Sequence, residues 1–173
     1  ASDVYKRQVY IGKYRIDNLS EADLAKFRQK FTGFIFQSYN LMPTMTALEN
    51  VALPLMFKGV GKEEREAKAM EMLKLVGIDN RYTHKPKEMS GGQQQRVGIA
   101  RAFVTDPSVV FADEPTGNLD SKTTIEVMDL IKQLVYTKKQ TLVMVTHDAN
   151  VAKYSDITVN ISDGRITSKK YNS

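Results

Sequence analysis

The sequence predicts an α/β protein whose core is a parallel β-sheet, with a helical segment inserted in it and a β-hairpin at the C-terminal end. Three short apolar runs predict the buried strands, at 31–36, 109–112 and 140–146. No polar residue alternates with the apolar ones in the second run, which is typical of a strand covered on both faces. Ligands of such sheets bind at the carboxyl ends of the strands, so the residues that follow each run are the first candidates for a site.

Length and composition indicate one globular domain. A chain of 173 residues is long enough for a core of its own, and 42% hydrophobic with 26% charged residues is ordinary. The chain has no apolar run long enough to span a membrane and opens on no signal peptide. It contains no cysteine, which excludes disulfides and thiolate metal sites and fits a reducing compartment.

The net charge of +5 does not identify a partner. Acids are interleaved with the bases, as in 62–68, and this pattern is typical of a solvated helix face. A mildly basic surface suits nucleotides and acidic lipid headgroups equally well.

Two carboxylates stand where the second strand must end. Pro115 cannot continue a sheet ladder, which leaves Asp113 and Glu114 at the carboxyl edge. Adjacent acids at a binding edge suit Mg²⁺-nucleotide chemistry, in which one carboxylate holds the metal and the next acts on the attacking water. A plain polar turn after a core strand explains the same residues when they are taken alone.

Polar side chains also follow the other two strands. Gln37 stands after the first and His147 after the third. Each alone is typical of an ordinary edge or loop residue. Because parallel strands end at one edge, we expect Gln37, Asp113, Glu114 and His147 to meet there.

A helix start with little side-chain bulk lies at Ser90-Gly91-Gly92-Gln93. Ser90 and Gln93 have capping-box spacing, and the two glycines let an outside group approach the backbone closely. Free N–H groups at a helix N-terminus favour an anion, and phosphate is the natural guest. A capping box with a Gly-Gly turn is the alternative interpretation.

The other runs predict helices and a hairpin. Helices are expected from Ser20, from Ala47, over 61–76, from Ser90 to about Thr105 and over 118–136. Two of them carry apolar stripes at helical spacing, formed by Ala67, Met70, Leu73 and Val76, and by Ile125, Met128, Ile131 and Leu134. Asp163-Gly164 joins the strands of the terminal hairpin, and residues 169–173 are expected to be a disordered tail.

Taken together, these residues resemble the ATP-binding cassette (ABC) ATPases that drive membrane transporters, over nearly all of the chain from Val9 onward. The motifs stand in the family's order. Gln37 resembles the Q-loop glutamine, 89–93 the signature motif with methionine where leucine is usual, 109–113 Walker B, Glu114 its catalytic glutamate, 118–120 the D-loop and His147 the switch histidine. Each motif is weak alone, but the ordered set is very specific.

The resemblance implies a P-loop NTPase-like sheet core in a domain of residues 9–173, after a non-matching leader at 1–8, with a helical subdomain at about 40–104. It implies ATP and Mg²⁺ as cofactors. Catalysis is assigned to Glu114, His147 and Gln37, and the metal to Asp113 and Gln37. Nucleotide binding across a head-to-tail dimer is assigned to Ser90, Gly91, Gly92, Gln93 and Asp120.

One motif of the family has no counterpart in the chain. The phosphate-binding loop G-x-x-x-x-G-K-[ST] is expected upstream of Gln37, and the segment 59–63 lacks its spacing and its Ser/Thr. The expectation is an N-terminally truncated piece of an ATPase, with an incomplete sheet and no activity alone, because that loop supplies most phosphate contacts. The missing strand is expected to leave a gap between two of the remaining strands, with exposed apolar residues.

The resemblance also implies partners and a location. The partners are a transmembrane permease subunit and a second copy of the ATPase domain, with no nucleic acid, and the place is cytoplasmic, on the inner face of the cell membrane. Residues 36–43 and 115–120 most resemble the branch of lipoprotein-release, macrolide-export and antimicrobial-peptide-export ATPases, which implies export or extrusion through the permease.

Two alternatives stay open. A non-transport ABC ATPase would carry long coiled-coil insertions between Gln37 and Ser90, and that stretch has no sustained heptads. A degenerate cassette that acts as an interaction module is favoured by the missing loop. It is disfavoured by the retention of Gln37, Asp113, Glu114 and His147, since a scaffold has no physical need of that set.

Overall fold

The computed structural model describes residues 8–172. The predicted leader at 1–8 lies outside the described residues except for Gln8. The helices are α1 Glu21–Phe31, α2 Ala47–Phe57, α3 Lys62–Leu75, α4 Gly91–Phe103, α5 Ser121–Lys138 and α6 Ala149–Ala152. The strands are β1 Tyr10–Ile11, β2 Tyr14–Arg15, β3 Thr32–Phe36, β4 Val109–Asp113, β5 Thr141–Val145, β6 Ile157–Ser162 and β7 Arg165–Tyr171.

The central sheet is parallel, with the strand order β3-β4-β5. Phe36 pairs with Asp113, and Asp113 pairs with Val145, so the carboxyl ends of the three strands lie side by side. β6 and β7 form a separate antiparallel hairpin, and β1 and β2 a second short one. The predicted α/β fold with a parallel sheet and a terminal hairpin is therefore confirmed.

Polar caps fix where the helices begin. Ser20 accepts a hydrogen bond from the Asp23 N–H at 3.2 Å ahead of α1, as its spacing predicted. Thr46 and Glu49 form a complete capping box before α2. Each cap satisfies N–H groups that have no partner inside the helix. None of the helices in residues 8–172 is long and apolar enough to cross a membrane.

One face of the sheet carries the core. Helices α2 to α5 pack there around Ile35, Val110 and Ala112, which are almost completely buried. Gly33 lets α4 approach β3, since a Cβ at this position would collide with the carbonyl oxygen of Ala102. Only glycine, which has no Cβ, therefore fits at position 33.

The other face of the sheet is open in part. Burial on both faces was predicted, together with exposed apolar residues beside a missing strand. Phe34, Val143 and Val145 are 39%, 44% and 62% exposed, so full burial is wrong and exposed apolar residues are present. α1 and the β1–β2 hairpin lie over this face beside Phe34 and Phe111, whereas Val143 and Val145 of β5 contact solvent.

Three further expectations were wrong in detail. Ile125 is 56% exposed although it was placed on the inward face of α5, while Met128, Ile131 and Leu134 are buried as predicted. In α3 the predicted stripe is partly wrong: Leu73 and Val76 are buried as predicted, but Ala67 is exposed. Ala69 and Met72 are buried instead, in a helix that packs against α2 and α4. Residues 169–171 belong to β7 and not to a disordered tail.

Candidate functional site

The structure brings the polar residues that follow β3, β4 and β5 together at one edge. The backbone N–H of Glu114 donates to the carbonyl of Val145 at 2.9 Å, which continues the ladder past the end of β4. Asn118 donates through Nδ2 to the carbonyl of Gln37 at 3.0 Å. The Gln37 side chain lies over Gly117, where an added Cβ would be 2.6 Å from its Nε2. Gln37, Glu114 and the loop after Glu114 therefore form one cluster, as the strand pattern predicted.

Glu114 is the most constrained residue of this cluster. Its φ of 44° is left-handed, which is uncommon for a residue other than glycine and is frequent at functional sites. Its Oε1 accepts the backbone N–H of His147 at 2.9 Å and lies 2.6 Å from the His147 Nδ1. Its Oε2 accepts the hydroxyl of Thr146 at 3.2 Å. Thr146 was not predicted from the sequence, although it stands directly before His147 at the end of β5.

These contacts define what the carboxylate can do. An ionised carboxylate only accepts hydrogen bonds, so it pairs with the His147 tautomer that carries a proton on Nδ1. The three donors take three of about four lone-pair directions of the Glu114 carboxylate, which leaves one for a water molecule. The His147 side chain is 83% exposed while that of Glu114 is 19% exposed, so the ring can turn away without repacking. The pair can hold a water and receive its proton.

Asp113 has the chemistry of a metal ligand but does not form a site alone. It is exposed at the end of β4, and its side chain makes no hydrogen bond or ion pair within residues 8–172. In the same part of the chain, no group of three or more His, Asp or Glu side chains could hold a metal ion. Mg²⁺ is usually bound by one or two carboxylates together with waters and substrate phosphates. Asp113 fits an ion that arrives with a nucleotide.

Ser90 and Gln93 form a capping box at the start of α4. Gln93 N–H donates to the Ser90 Oγ at 3.3 Å, and the Gln93 Oε1 accepts the Ser90 N–H at 3.0 Å. The two glycines are tightly surrounded, because an added Cβ would lie 2.7 Å from the Tyr39 hydroxyl at Gly91 and 2.7 Å from Thr123 Cγ2 at Gly92. The capping interpretation is therefore observed, and a role toward phosphate is a separate proposal.

The capped start of α4 and the Glu114 cluster are connected through a buried glutamine. Gln95 is fully buried and donates through Nε2 to the carbonyl of Pro115 at 2.6 Å. No hydrogen bond within residues 8–172 joins the 90–93 segment directly to Glu114 or His147. Gln95 was not predicted from the sequence. Its hydrogen bond to Pro115 connects α4 to the loop that follows Glu114.

Asp120 is the N-cap of α5. Its Oδ1 accepts the N–H groups of Lys122 and Thr123 at 3.1 and 3.0 Å, and its Oδ2 accepts the Thr123 hydroxyl at 2.7 Å. The hydrogen bonds from Thr123 hold the pKa of Asp120 below its ordinary value of 3.8. The structure therefore shows that the Asp120 side chain caps α5.

We expect Asp120→Ala to lower the melting temperature at pH 7, because α5 loses its cap. A depressed pKa means that the ionised carboxylate stabilises the fold above pH 3.8 and that this contribution is lost as the pH falls further. The difference in melting temperature between Asp120→Ala and its parent should therefore become smaller toward pH 3. Melting curves recorded from pH 3 to pH 7 would measure it. Asp120→Ser, which keeps a capping oxygen, is the control, and a melting temperature as low as that of the alanine variant would contradict the capping role.

The fold and the strand-end residues together define a class of protein, the nucleotide-hydrolysing ATPases built on a parallel sheet. Comparisons with known proteins are more specific. The family model described as ABC transporter matches residues 6–117. An uncharacterized ABC transporter ATP-binding protein of Methanocaldococcus jannaschii, MJ0796, is 47% identical over 163 residues, which are 92% of this chain and 69% of that protein. The chain belongs to the ABC transporter family.

One further relative and a solved structure agree with this assignment. The lipoprotein-releasing system ATP-binding protein LolD of Geobacter metallireducens is 48% identical over 158 residues, covering 91% of this chain and 70% of the relative. A dimeric structure of the MJ0796 cassette in a post-hydrolysis state, bound to ADP and Pi, superposes with a TM-score of 0.85 at 43% identity. The superposition covers 95% of this chain and 72% of that one. The fold is that of an ATP-binding cassette, and a non-transport alternative is not favoured.

Proposed function

We propose that this chain forms the hydrolytic and signature parts of a transport ATPase, with ATP as substrate. Glu114 holds and deprotonates the attacking water, His147 contacts the γ-phosphate, and Gln37 contacts the water from the neighbouring strand end. The observation that carries the proposal is the convergence of Gln37, Glu114 and His147 at one sheet edge. The left-handed backbone of Glu114 supports it, since such strain persists where the surrounding structure holds it.

Asp113 is the proposed Mg²⁺ ligand, with the amide oxygen of Gln37 as a second oxygen donor. Both offer hard oxygen atoms of the kind that Mg²⁺ prefers, and Asp113 is exposed at the strand end. Bound there with ATP, Mg²⁺ would neutralise charge on the phosphates. The 173 residues contain no G-x-x-x-x-G-K-[ST] sequence, so the proposed residues act in an intact ATPase that supplies this loop.

The proposed assembly is a head-to-tail dimer. Ser90, Gly91, Gly92 and Gln93 of one copy would close on the ATP of the other, and Asp120 would lie at the same interface. The related cassette MJ0796 is described as a dimer bound to ADP and Pi.

Mixing two inactive variants tests the shared site. Glu114→Gln and Ser90→Arg should each abolish turnover of the intact ATPase when present in both copies. In a mixed dimer the head-to-tail arrangement places both defects in one site and leaves the other intact. Random mixing should then recover about a quarter of the parental rate, because half of the dimers are mixed and each has one working site. ATP turnover of the coexpressed pair, against each variant alone, measures this.

This experiment distinguishes a site shared between two copies from a site formed within one copy. If Ser90 and Glu114 of the same copy served the same ATP, both sites of every mixed dimer would carry a defect. Turnover at the level of the single variants would therefore contradict the shared site. A second pair, Glu114→Gln mixed with His147→Ala, is the matched control, since both residues lie in one cluster and no recovery is expected.

The proposed role in the cell is to power a membrane permease from the cytoplasmic face. The resemblance of 36–43 and 115–120 to the lipoprotein-release and macrolide-export branch supports export or extrusion rather than import. The names of two relatives, a lipoprotein-releasing ATP-binding protein and a macrolide export ATP-binding/permease protein of Mannheimia succiniciproducens, point the same way. The helical subdomain at about 40–104 is the proposed docking region for the permease.

A further inference from the structure

A strained turn follows Gln37. Tyr39 and Asn40 both have left-handed backbones, with φ values of 61° and 48°. The N–H of Asn40 donates to the carbonyl of Ser38 at 2.6 Å, which closes a three-residue turn around Tyr39. A positive φ is unusual for a bulky aromatic residue, and a three-residue turn of this hand is rare and strained. Such a turn persists only when neighbouring groups hold it.

Arg101 of α4 is the group that holds it. Its guanidinium donates through Nη1 to the carbonyl of Asn40 at 2.5 Å and through Nη2 to the carbonyl of Tyr39 at 2.8 Å. Arg101 has no carboxylate within ion-pair distance in the part of the chain that the structure describes. Burial of this side chain lowers the pKa of Arg101, but an arginine keeps its charge in such a place. The charge is therefore compensated by the two carbonyls of the turn.

The same turn passes close to α4 at two more places. An added Cβ would lie 2.7 Å from the Tyr39 hydroxyl at Gly91 and 3.7 Å from the Tyr39 carbonyl oxygen at Gly98. Arg101 binds the turn, and the turn lies alongside α4 from the start of the helix. Gln37 lies two residues before the turn, and the 90–93 segment lies at the start of α4.

We propose that Arg101 is a positioning residue that fastens the Tyr39–Asn40 turn to α4, so that Gln37 and the 90–93 segment keep a fixed relative position. A guanidinium suits this task because its rigid fork binds two carbonyl oxygens at once, whereas an ammonium is a single point charge. The consequence for catalysis rests on the proposed function of Gln37. The fastening itself does not, and it can be measured without ATP.

Hydrogen exchange of the amides at residues 37–45 measures the fastening directly. In Arg101→Met we expect the amides of this segment to exchange about 10-fold faster, because the turn opens locally. Arg96→Met is the matched control on the same helix: Arg96 also makes two hydrogen bonds, to the Val76 carbonyl at 2.9 Å and to Glu126 at 3.3 Å. That variant should leave exchange at 37–45 within about twofold of the parent. Equal acceleration in both variants would overturn the proposal.

Kinetics of the intact ATPase separate positioning from a general loss of stability. Arg101→Met should lower kcat about 10-fold with KM within about twofold of the parent, since a misplaced Gln37 affects the reaction more than binding. The kcat of Arg101→Lys should lie between those of the parent and of Arg101→Met, because one ammonium group cannot bind both carbonyl oxygens as the guanidinium does. Adding Asn40→Gly to Arg101→Met should recover part of kcat, since glycine adopts a φ of 48° without strain.

Parental exchange at 37–45 in Arg101→Met would overturn the positioning role. Faster exchange with an unchanged kcat would contradict the role proposed for Gln37 and leave the fastening of the turn established. Accelerated exchange in a chain whose intact ATPase hydrolyses no ATP would contradict the proposed function and leave the fastening of the turn established.

Discussion

Glu114→Gln is expected to lower ATP turnover by about 10² to 10⁴, which is the usual contribution of a general base. Glutamine has nearly the same shape, and its Oε1 can still accept the His147 N–H that Glu114 accepts at 2.9 Å. It has no second acceptor oxygen for the Thr146 hydroxyl, and it cannot take a proton from water. ATP binding and dimer closure should persist, because the substitution removes no group assigned to phosphate binding.

Single-turnover hydrolysis and nucleotide binding by the intact ATPase would measure the two effects separately. Glu126→Gln on α5 is the matched control, since it removes an equivalent carboxylate whose partner is Arg96 on the surface. Its turnover should equal that of the parent. Hydrolysis by Glu114→Gln at the parental rate would show that another group activates the water.

Gly33→Ala is expected to destabilise the protein by about 1–3 kcal/mol, the usual effect of overpacking a core. The added methyl would collide with the Ala102 carbonyl oxygen and lie 3.1 Å from the Ala102 carbonyl carbon and from Pro107 Cγ. The first two atoms belong to the backbone of α4, so the helix itself would have to move away from β3. Urea unfolding of the variant and its parent gives the change in the free energy of unfolding.

Gly98→Ala is the matched control for this prediction. It adds the same methyl group to α4, where the nearest atom, the Tyr39 carbonyl oxygen, would be 3.7 Å away at ordinary contact distance. Because alanine is favoured over glycine inside a helix by about 0.5–1 kcal/mol, this variant should be as stable as the parent or more stable. Equal losses in the two variants would mean that the close approach at Gly33 does not determine the effect.

The sequence predicted the parts of the fold that depend on local order along the chain. Strand ends marked by Gln37, Glu114 and His147 meet because neighbouring parallel strands end at one edge, and the register bears this out. The caps at Ser20 and Ser90 were likewise readable from residue spacing alone. These features need only short-range chemistry and a known sheet geometry.

What the sequence could not predict depends on which surfaces cover which. The run of β5 has the pattern of a buried strand, and although the missing strand predicted some exposed apolar residues, the pattern alone did not show that these would be Val143 and Val145. Ile125 has the spacing of a core residue and still faces outward. Arg101 carried a usable signal, because it stands at helical spacing from the buried Val97 and Val104. Its partners Asn40 and Tyr39, however, lie 61 and 62 residues earlier in the chain.

The open side of β5 has a consequence for handling the molecule in solution. Within residues 8–172, β5 is an edge strand of its sheet. Its exposed Val143 and Val145 side chains and the peptide groups of its outer edge are accessible to a neighbouring copy. The net charge of +5 opposes such encounters through mutual repulsion, which acts over about 10 Å in 0.1 M salt and less at higher ionic strength. Concentrated salt should therefore weaken the repulsion between copies, and we expect this chain to self-associate less in dilute, low-salt buffers.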